Sequence, residues 1–515
     1  MKKICILSIF FVSFWANAQE AEVSEQVFKK RALETAELSL LTSFYTQEGK
    51  NASVTGGIGS EQLDDYATDI IISIPIKEDG VLNINGTISA YTSASSSNLN
   101  PWNGSGASSG YYEDDDDDDD DDDDGDDSRT VSGASKTHRG RDDDDYNQGN
   151  GNGRNIGTPW DASSGASRKD VWVNLNLDYS HFSEDRNTIY AVNLSVANEY
   201  DYRSFGGGAG IVKLFNQKNT ELGINANVYL DQWLPEYPTE YKTYIVTNGS
   251  LFSGFFQDAE ILDQNGNAIN KAGSNAWKPL NNTLIQDKGR NTFAVSISFS
   301  QILSKTTQFS VFSDLTYQSG WLANPMQRVY FADKNNFYIG NPASIPNYTN
   351  PNNKDVFQLA DDIERLPHSR IKIPIGIRLN QYINEIFVLR SYYRYYTDDW
   401  GIRSHTANVE MAIKVGQMFT LYPNYRFYNQ SAADYFAPYD QLLSTSRFYT
   451  SDYDLSKHVA NQFGLGLKYT DIFTSAHFLK FFGIKNLSLD YNYYQRNTGL
   501  TAHIVSFGIN FLVDK

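Results

Sequence analysis

The feature that most limits what this chain can become is a period-two alternation of apolar and polar residues. It recurs in stretch after stretch of about ten residues. Val171, Val173, Leu175, Leu177 and Tyr179 alternate with Trp172, Asn174, Asn176 and Asp178. Tyr190, Val192, Leu194 and Val196 alternate with Ala191, Asn193 and Ser195, and Leu222, Ile224, Ala226, Val228 and Leu230 with Gly223, Asn225, Asn227 and Tyr229. Similar runs occupy 70–76, 82–90, 293–299, 309–317, 371–379, 387–395, 405–415, 419–427, 463–469, 487–493 and 503–513. Successive side chains of a strand point to opposite faces, so each run has one apolar face and one polar face. A soluble sandwich shows some alternation, but seldom so many consecutive long strands whose second face is polar.

The ends of the chain say which solvent the apolar face meets. Lys2 and Lys3 precede an apolar run, Ile4 to Trp15, that closes on Ala16-Asn17-Ala18. That pattern predicts a secretory signal cleaved after Ala18. Cys5 is the only cysteine and lies inside the signal, so the mature chain is expected to lack disulfides, thiolate metal sites and a cysteine nucleophile. Past the signal no stretch approaches the roughly 18–20 apolar residues of a membrane helix. Tyrosine (34) and phenylalanine (30) are abundant and methionine (4) is scarce. In lipid every backbone group must be paired within the protein, which leaves helices or a closed barrel. With helices missing, the barrel remains.

Connections fit the same reading. Short polar turns at 77–80, 216–219 and 303–306 alternate with longer links near 93–168, 234–289, 319–368 and 431–456. Short turns at one end and long loops at the other is the asymmetry of outer-membrane barrels, the short end being periplasmic. The expected fold is therefore all-β, a transmembrane antiparallel β-barrel of about 16 strands with long extracellular loops. Its parts are a signal peptide (1–18), a periplasmic segment (19–33) and the barrel (34–515), with 34–46 as the first strand and Thr55–Gly59 in an outer loop. The final residues, Ser506-x-Gly508-x-x-Phe511-x-Val513, resemble the terminal-strand signal read by barrel-assembly machinery. The expected location is the outer membrane of a Gram-negative bacterium, and the expected partners are outer-membrane lipid and that machinery.

Charge is concentrated. Between Glu113 and Asp145 stand eighteen acidic residues and four basic ones, so this segment carries −14 of the formal −19. The surrounding 93–168 stretch, rich in Ser, Gly and Asn, is too polar to build a core and is expected to be disordered and extracellular. Carboxylates suit hard cations, and Asp120-x-Asp122-x-Asp124-Gly125 opens like a calcium loop. The twelfth position is Val131 where such a loop needs glutamate, so the reading is divided between weak binding of Ca2+ or other divalent cations and a solvated electrostatic bristle. Nucleic acid is disfavoured as a partner by the negative field.

If the apolar positions face lipid, four successive strands send Lys372, Arg378, Arg390, Arg394, Glu410, Lys414 and Arg426 into the lumen. Earlier strands send in Asp178, Asp231 and Asp314 with many asparagines. A basic wall facing an acidic one would set up a transverse field in a pore; the alternative is that these groups pair across a plugged lumen and hold its shape. At the outer rim, Asp398, Asp399 and His405 are expected on one hairpin, with Asp434, Asp452 and Asp454 on the next loop. Acidic groups near one histidine suit metal binding or activation of water. The structural alternative has Asp398 and Asp399 closing a turn and pairing with Arg394 or Arg403.

Several long motifs carry a family resemblance. They are Tyr392-Tyr393-Arg394-Tyr395-Tyr396-Thr397-Asp398-Asp399-Trp400-Gly401-Ile402-Arg403-Ser404-His405-Thr406, the stretch from Tyr425 to Phe436, and Tyr449-Thr450-Ser451-Asp452-Tyr453-Asp454-Leu455-Ser456. Glu364-Arg365-Leu366-Pro367-His368-Ser369-Arg370 and Val54-Thr55-Gly56-Gly57-Ile58-Gly59 complete the set. The chain resembles the barrel family called domain of unknown function 3570. The resemblance implies an outer-membrane barrel without an assigned activity. It also implies encoding near a small lipoprotein, a thioredoxin-like protein and a flavin transferase, hence a small envelope lipoprotein as partner and a link to envelope redox or metal chemistry. Two functional expectations follow: a channel or surface binding protein for small ions or solutes with a cation-attracting loop, or an outer-membrane enzyme or scaffold for envelope redox or metal assembly. No HExxH, GxSxG or CxxC motif supports a catalytic residue.

Overall fold

Strands with an apolar outer face leave no backbone group unpaired in lipid only when the last strand bonds to the first. The structure, a computed structural model, describes residues 31–93, 170–199, 202–235, 237–285, 289–350, 356–471, 473–478 and 481–513. The signal peptide and the aspartate tract, with Asp120, Asp122 and Asp124, lie outside the described residues. Sixteen long strands form the ring. They are β1 (Glu37–Glu48), β2 (Leu63–Ile76), β3 (Gly80–Ser93), β4 (Asp170–Phe182), β5 (Thr188–Asn198), β6 (Tyr202–Phe215), β7 (Thr220–Trp233) and β8 (Gly289–Ser304), followed by β9 (Thr307–Gly320), β10 (Ser369–Tyr382), β11 (Phe387–Asp398), β12 (Arg403–Val415), β13 (Phe419–Gln430), β14 (His458–Thr470), β15 (Phe482–Arg496) and β16 (Thr501–Val513). Each pairs antiparallel with its neighbour in sequence, and β16 returns to β1 from Glu37 opposite Leu512 to Glu48 opposite Thr501. The ring is closed.

The alternation reads directly onto its two faces. Val192, Leu194 and Leu230 remain 54%, 55% and 50% exposed, as lipid-facing side chains do, while their neighbours turn inward. Near the outer ends of two hairpins a tyrosine hydroxyl meets a histidine Nδ1 on this exposed face: Tyr393 with His405, and Tyr491 with His503, each at 2.8 Å. Rings with polar tips suit the membrane–water boundary.

One strand carries no alternation in its sequence. In β6 the inward positions are Gly206, Gly208 and Gly210, opposite residues of β5 and β7 that also face inward. A β-carbon on Gly206 would meet the Tyr229 ring at 2.5 Å, and one on Gly208 would meet the Ala226 carbonyl at 2.7 Å. Asn193 donates instead to Asn227 at 3.1 Å across the strand that the glycines flatten. The missing side chains are what let their neighbours fill this wall.

The largest apolar cores lie in the outer loops. Leu251, Phe256, Ile261 and Trp277 of the 234–288 loop pack with Ile339, Phe357 and Leu359 of the 321–368 loop. A helix, α1 (Thr239–Val246), belongs to the same body. Ile261–Leu262, Tyr338–Gly340 and Val356–Gln358 form a small sheet, and Arg328–Val329 pairs with Asp362–Ile363. Arg328 joins three loops: it makes a two-pronged ion pair with Glu240, at 2.7 and 3.2 Å, and donates to the Val54 carbonyl at 3.1 Å. Val54 sits between β1 and β2, Arg328 between β9 and β10, halfway round a ring of sixteen. A chain contact between those two roots has to cross the mouth. The outer loops therefore form a packed cap.

Candidate functional site

The inner wall is built from the residues whose strand parity puts them opposite the lipid-facing set. Cross-strand pairing places Arg378 beside Tyr392, Arg390 beside Glu410, Arg394 beside Thr406 and Arg426 beside Asn408, all on the inner face. Lys372 pairs with Asp398 in register and Lys414 with Thr420, again facing inward. Asp178 and Asp231 share that face on β4 and β7, and Asp314 does on β9. The wall of β4–β8 also turns Glu221 and Arg290 inward and is otherwise neutral, with a cavity of about 280 Å³ lined by Asp178, Asn193, Gly210, Asn225, Ser296 and Ser298 among others.

Some of these charges are spoken for. Arg390 pairs with Glu410 at 2.7 Å, and its guanidinium lies 5.6 Å from the Tyr422 ring centre. Arg378 lies over the rings of Phe312 and Tyr392, which stack at 5.8 Å because Gly376 leaves Phe312 room. Asp231 pairs with Arg290 at 3.2 Å, and Arg290 is flanked by the Tyr202 and Trp233 rings, each centred 5.1 Å away. The basic wall is thus in part a paired scaffold, while the Nε of Arg394 has no hydrogen-bond partner among the described residues.

At the rim, the six residues singled out in the sequence are not one cluster. Asp398 does close the turn, accepting from the Trp400 and Ile402 amides at 3.1 and 2.9 Å. Its cation is Arg370, at 2.5 Å, and not Arg394 or Arg403 as the sequence suggested. The reason is cross-strand geometry: Arg370 lies at the start of β10, beside the end of β11, and stacks 4.2 Å from the Trp400 ring centre. Asp399 accepts from the Ile371 amide at 2.9 Å. His405 points the other way, to the lipid-facing side with Tyr393 and Tyr395. Asp434 packs against Gly401, Asp452 accepts from Gln327 at 3.1 Å, and Asp454 pairs with Arg496 at 2.8 Å. Among the described residues no three His, Asp or Glu groups gather as a metal site would require.

The cap contains the buried charge that sequence reasoning missed. Asp362 is fully buried and accepts from Tyr449 at 2.6 Å, Asn281 at 2.5 Å and Arg365 at 3.1 Å, tying three loops together. Burial pushes the Glu364 carboxyl up to about 8, with the nearby Asp452 charge adding to it, and burial pushes Asp361 up to about 7. A signal for these joints was present. Glu364, Arg365 and Arg370 belong to one resemblance motif, Val54 and Gly56 to another, and Tyr449, Asp452 and Asp454 to a third. Gly56 has φ +80°, and a β-carbon there would meet the Tyr330 ring at 2.6 Å.

A family model described as "Protein of unknown function (DUF3570)" matches residues 127–505. The chain belongs to this family. In this DUF3570 member the motifs that carry the resemblance fall largely on the cap and its attachment points, from Val54 to Asp454, rather than on the bare wall. No curated protein matches the chain. Solved structures similar to it include "Bacterial polysaccharide outer membrane secretin" (7% identity, 93% of this chain and 98% of that chain, TM-score 0.38). Others are the Pseudomonas putida toluene transporter TodX (9%, 94% and 90%, TM-score 0.34) and Pseudomonas aeruginosa OpdK with vanillate (7%, 92% and 98%, TM-score 0.33).

Proposed function

We propose that this DUF3570 protein is an outer-membrane channel for small solutes, closed at rest by its folded outer loops. The observation that carries the reading is the inner wall: sixteen strands enclose a face of asparagine, serine, glycine and charge, with the large apolar cores displaced into the cap. A barrel that served only as an anchor would have no need of a polar interior lined with charge. Outer-membrane placement is supported by the apolar outer belt and the terminal-strand pattern of β16. The aspartate tract, carried by the β3–β4 connection, would concentrate cations on the outer side.

The test is conductance of the purified full-length protein in planar bilayers. The native protein should open rarely, and variants with a loosened cap should open often. Silence from both native and loosened protein, each shown to be folded by its heat-modifiable migration on gels, would overturn the channel reading.

A further inference from the structure

We propose that the basic inner wall holds a binding site for a small organic carboxylate, centred on Arg394 of β11 and Arg426 of β13. The site deepens the channel reading and rests on it for access from solution. The two arginines flank β12, opposite Thr406 and Asn408 respectively, and both turn into the lumen. Two cations drawn together in a partly dry wall repel, and an anion between them removes that penalty.

Among the described residues no carboxylate pairs with Arg394. Glu410 is taken by Arg390 and Asp398 by Arg370, and the Nε of Arg394 is buried with no hydrogen-bond partner. Thr406 Oγ1 lies opposite Arg394, and Asn408 Oδ1 and Gln462 Oε1 lie in the cross-strand row of Arg426; all three are buried and have no hydrogen-bond partner among the described residues. Buried polar atoms are nearly always satisfied, so these groups are left to water or a solute in the lumen. Hydroxyl and amide groups can turn a donor toward a bound oxygen.

Guanidinium forks select planar two-oxygen anions, which is the chemistry of a carboxylate. Tyr392 and Tyr494 lie in the cross-strand row of Arg426, and Tyr428 is its inward neighbour on β13, so three rings offer faces for a planar apolar body. Phosphate fits less well, since no group of backbone N–H donors points in from paired strands.

Isothermal titration of the full-length protein in detergent tests the site. Benzoate is the probe, with benzamide as its uncharged counterpart and inorganic phosphate as the competing anion. Saturable benzoate binding is expected, weakened roughly tenfold or more by Arg394→Gln and similarly by Arg426→Gln. Benzamide should not bind. Equal binding of benzamide, tighter binding of phosphate, or unchanged benzoate affinity in Arg394→Gln would overturn the assignment. Should Arg394→Gln not fold, Arg394→Lys keeps the charge without the fork; benzoate affinity equal to native would then overturn it. Bilayer conductance separates the two proposals. Benzoate binding without current in native or loosened protein supports the site and sinks the channel, whereas current without benzoate binding sinks the site alone.

Discussion

Removing Arg328 should release the cap. The guanidinium and its partner Glu240 have side chains 1% and 0% exposed, and the pair is their main compensation for leaving water. Arg328 also satisfies the Val54 carbonyl and lies 5.5 Å from the Phe357 ring centre, so one side chain binds loops rooted on opposite walls. Substitution by alanine strands the Glu240 carboxylate in a dry core. Breaking a buried pair in this way costs about 3–5 kcal/mol. That shifts the closing equilibrium of the cap by about two to four orders of magnitude. The barrel wall contributes its own hydrogen bonds and should survive, so the loss is local. Limited proteolysis of the protein in vesicles, together with single-channel current, reads it out: loop cleavage should speed up and openings should become frequent. The double variant Arg328→Met with Glu240→Leu replaces the pair by apolar groups and should recover most of the native protection. An Arg328→Ala protein as resistant and as silent as native would refute the claim that this joint closes the mouth.

Three further outcomes are expected. Glu364 and Asp361, pushed up to about 8 and about 7 by burial, are neutral in the closed cap and ionise more readily once it opens. Their contribution to closing is therefore full below the ordinary carboxylate range and is lost as pH rises through those values, so loop proteolysis should quicken between about pH 5 and about pH 8. Glu364→Gln should flatten the upper part of that profile; a pH-independent rate in the native protein would contradict it. Gly376→Ala drives a β-carbon into the Phe312 ring and disturbs the stack under Arg378, a strain of about 1–3 kcal/mol; the thermal midpoint on heat-modifiable gels should fall, and an unmoved midpoint would show that the stack is loose. His405→Phe removes only the 2.8 Å contact with Tyr393 on the lipid-facing side, worth about 0.5–1.5 kcal/mol. Conductance should be unchanged, and a large change would restore the histidine to a functional role.

What the sequence revealed follows the range of the interactions concerned. Strands such as Leu222–Leu230 were legible because lipid on one side and polar lumen on the other impose alternation residue by residue. β6 was hidden because its inward positions are glycines, and the requirement for them comes from Tyr229 and Asn227 on a different strand. The turn at Asp398 was readable from its own residues, but its cation was not, since Arg370 is brought there by strand pairing. The cap lay furthest out of reach. Arg328 and the Val54 carbonyl are 274 residues apart, and no local pattern announces such a meeting.

The cap and the wall together constrain how the barrel can work. In a ring of sixteen the cations on β10–β13 face β2–β5, whose inward acids are Asp65, Asp69 and Asp178. The field across the lumen therefore favours anions next to the basic wall. An aspartate tract on the outer side, as proposed, would work against this, yet mobile salt screens exposed charge within about 8–10 Å at physiological strength. Selection by the tract and selection by Arg394 would then act at different depths and in opposite senses. Lowering the ionic strength should sharpen the first far more than the second, because surface charges are screened and partly buried ones are not. A benzoate affinity at the inner wall that varied with salt as steeply as cation binding to the outer surface would place both effects outside the barrel and leave the wall no selective role.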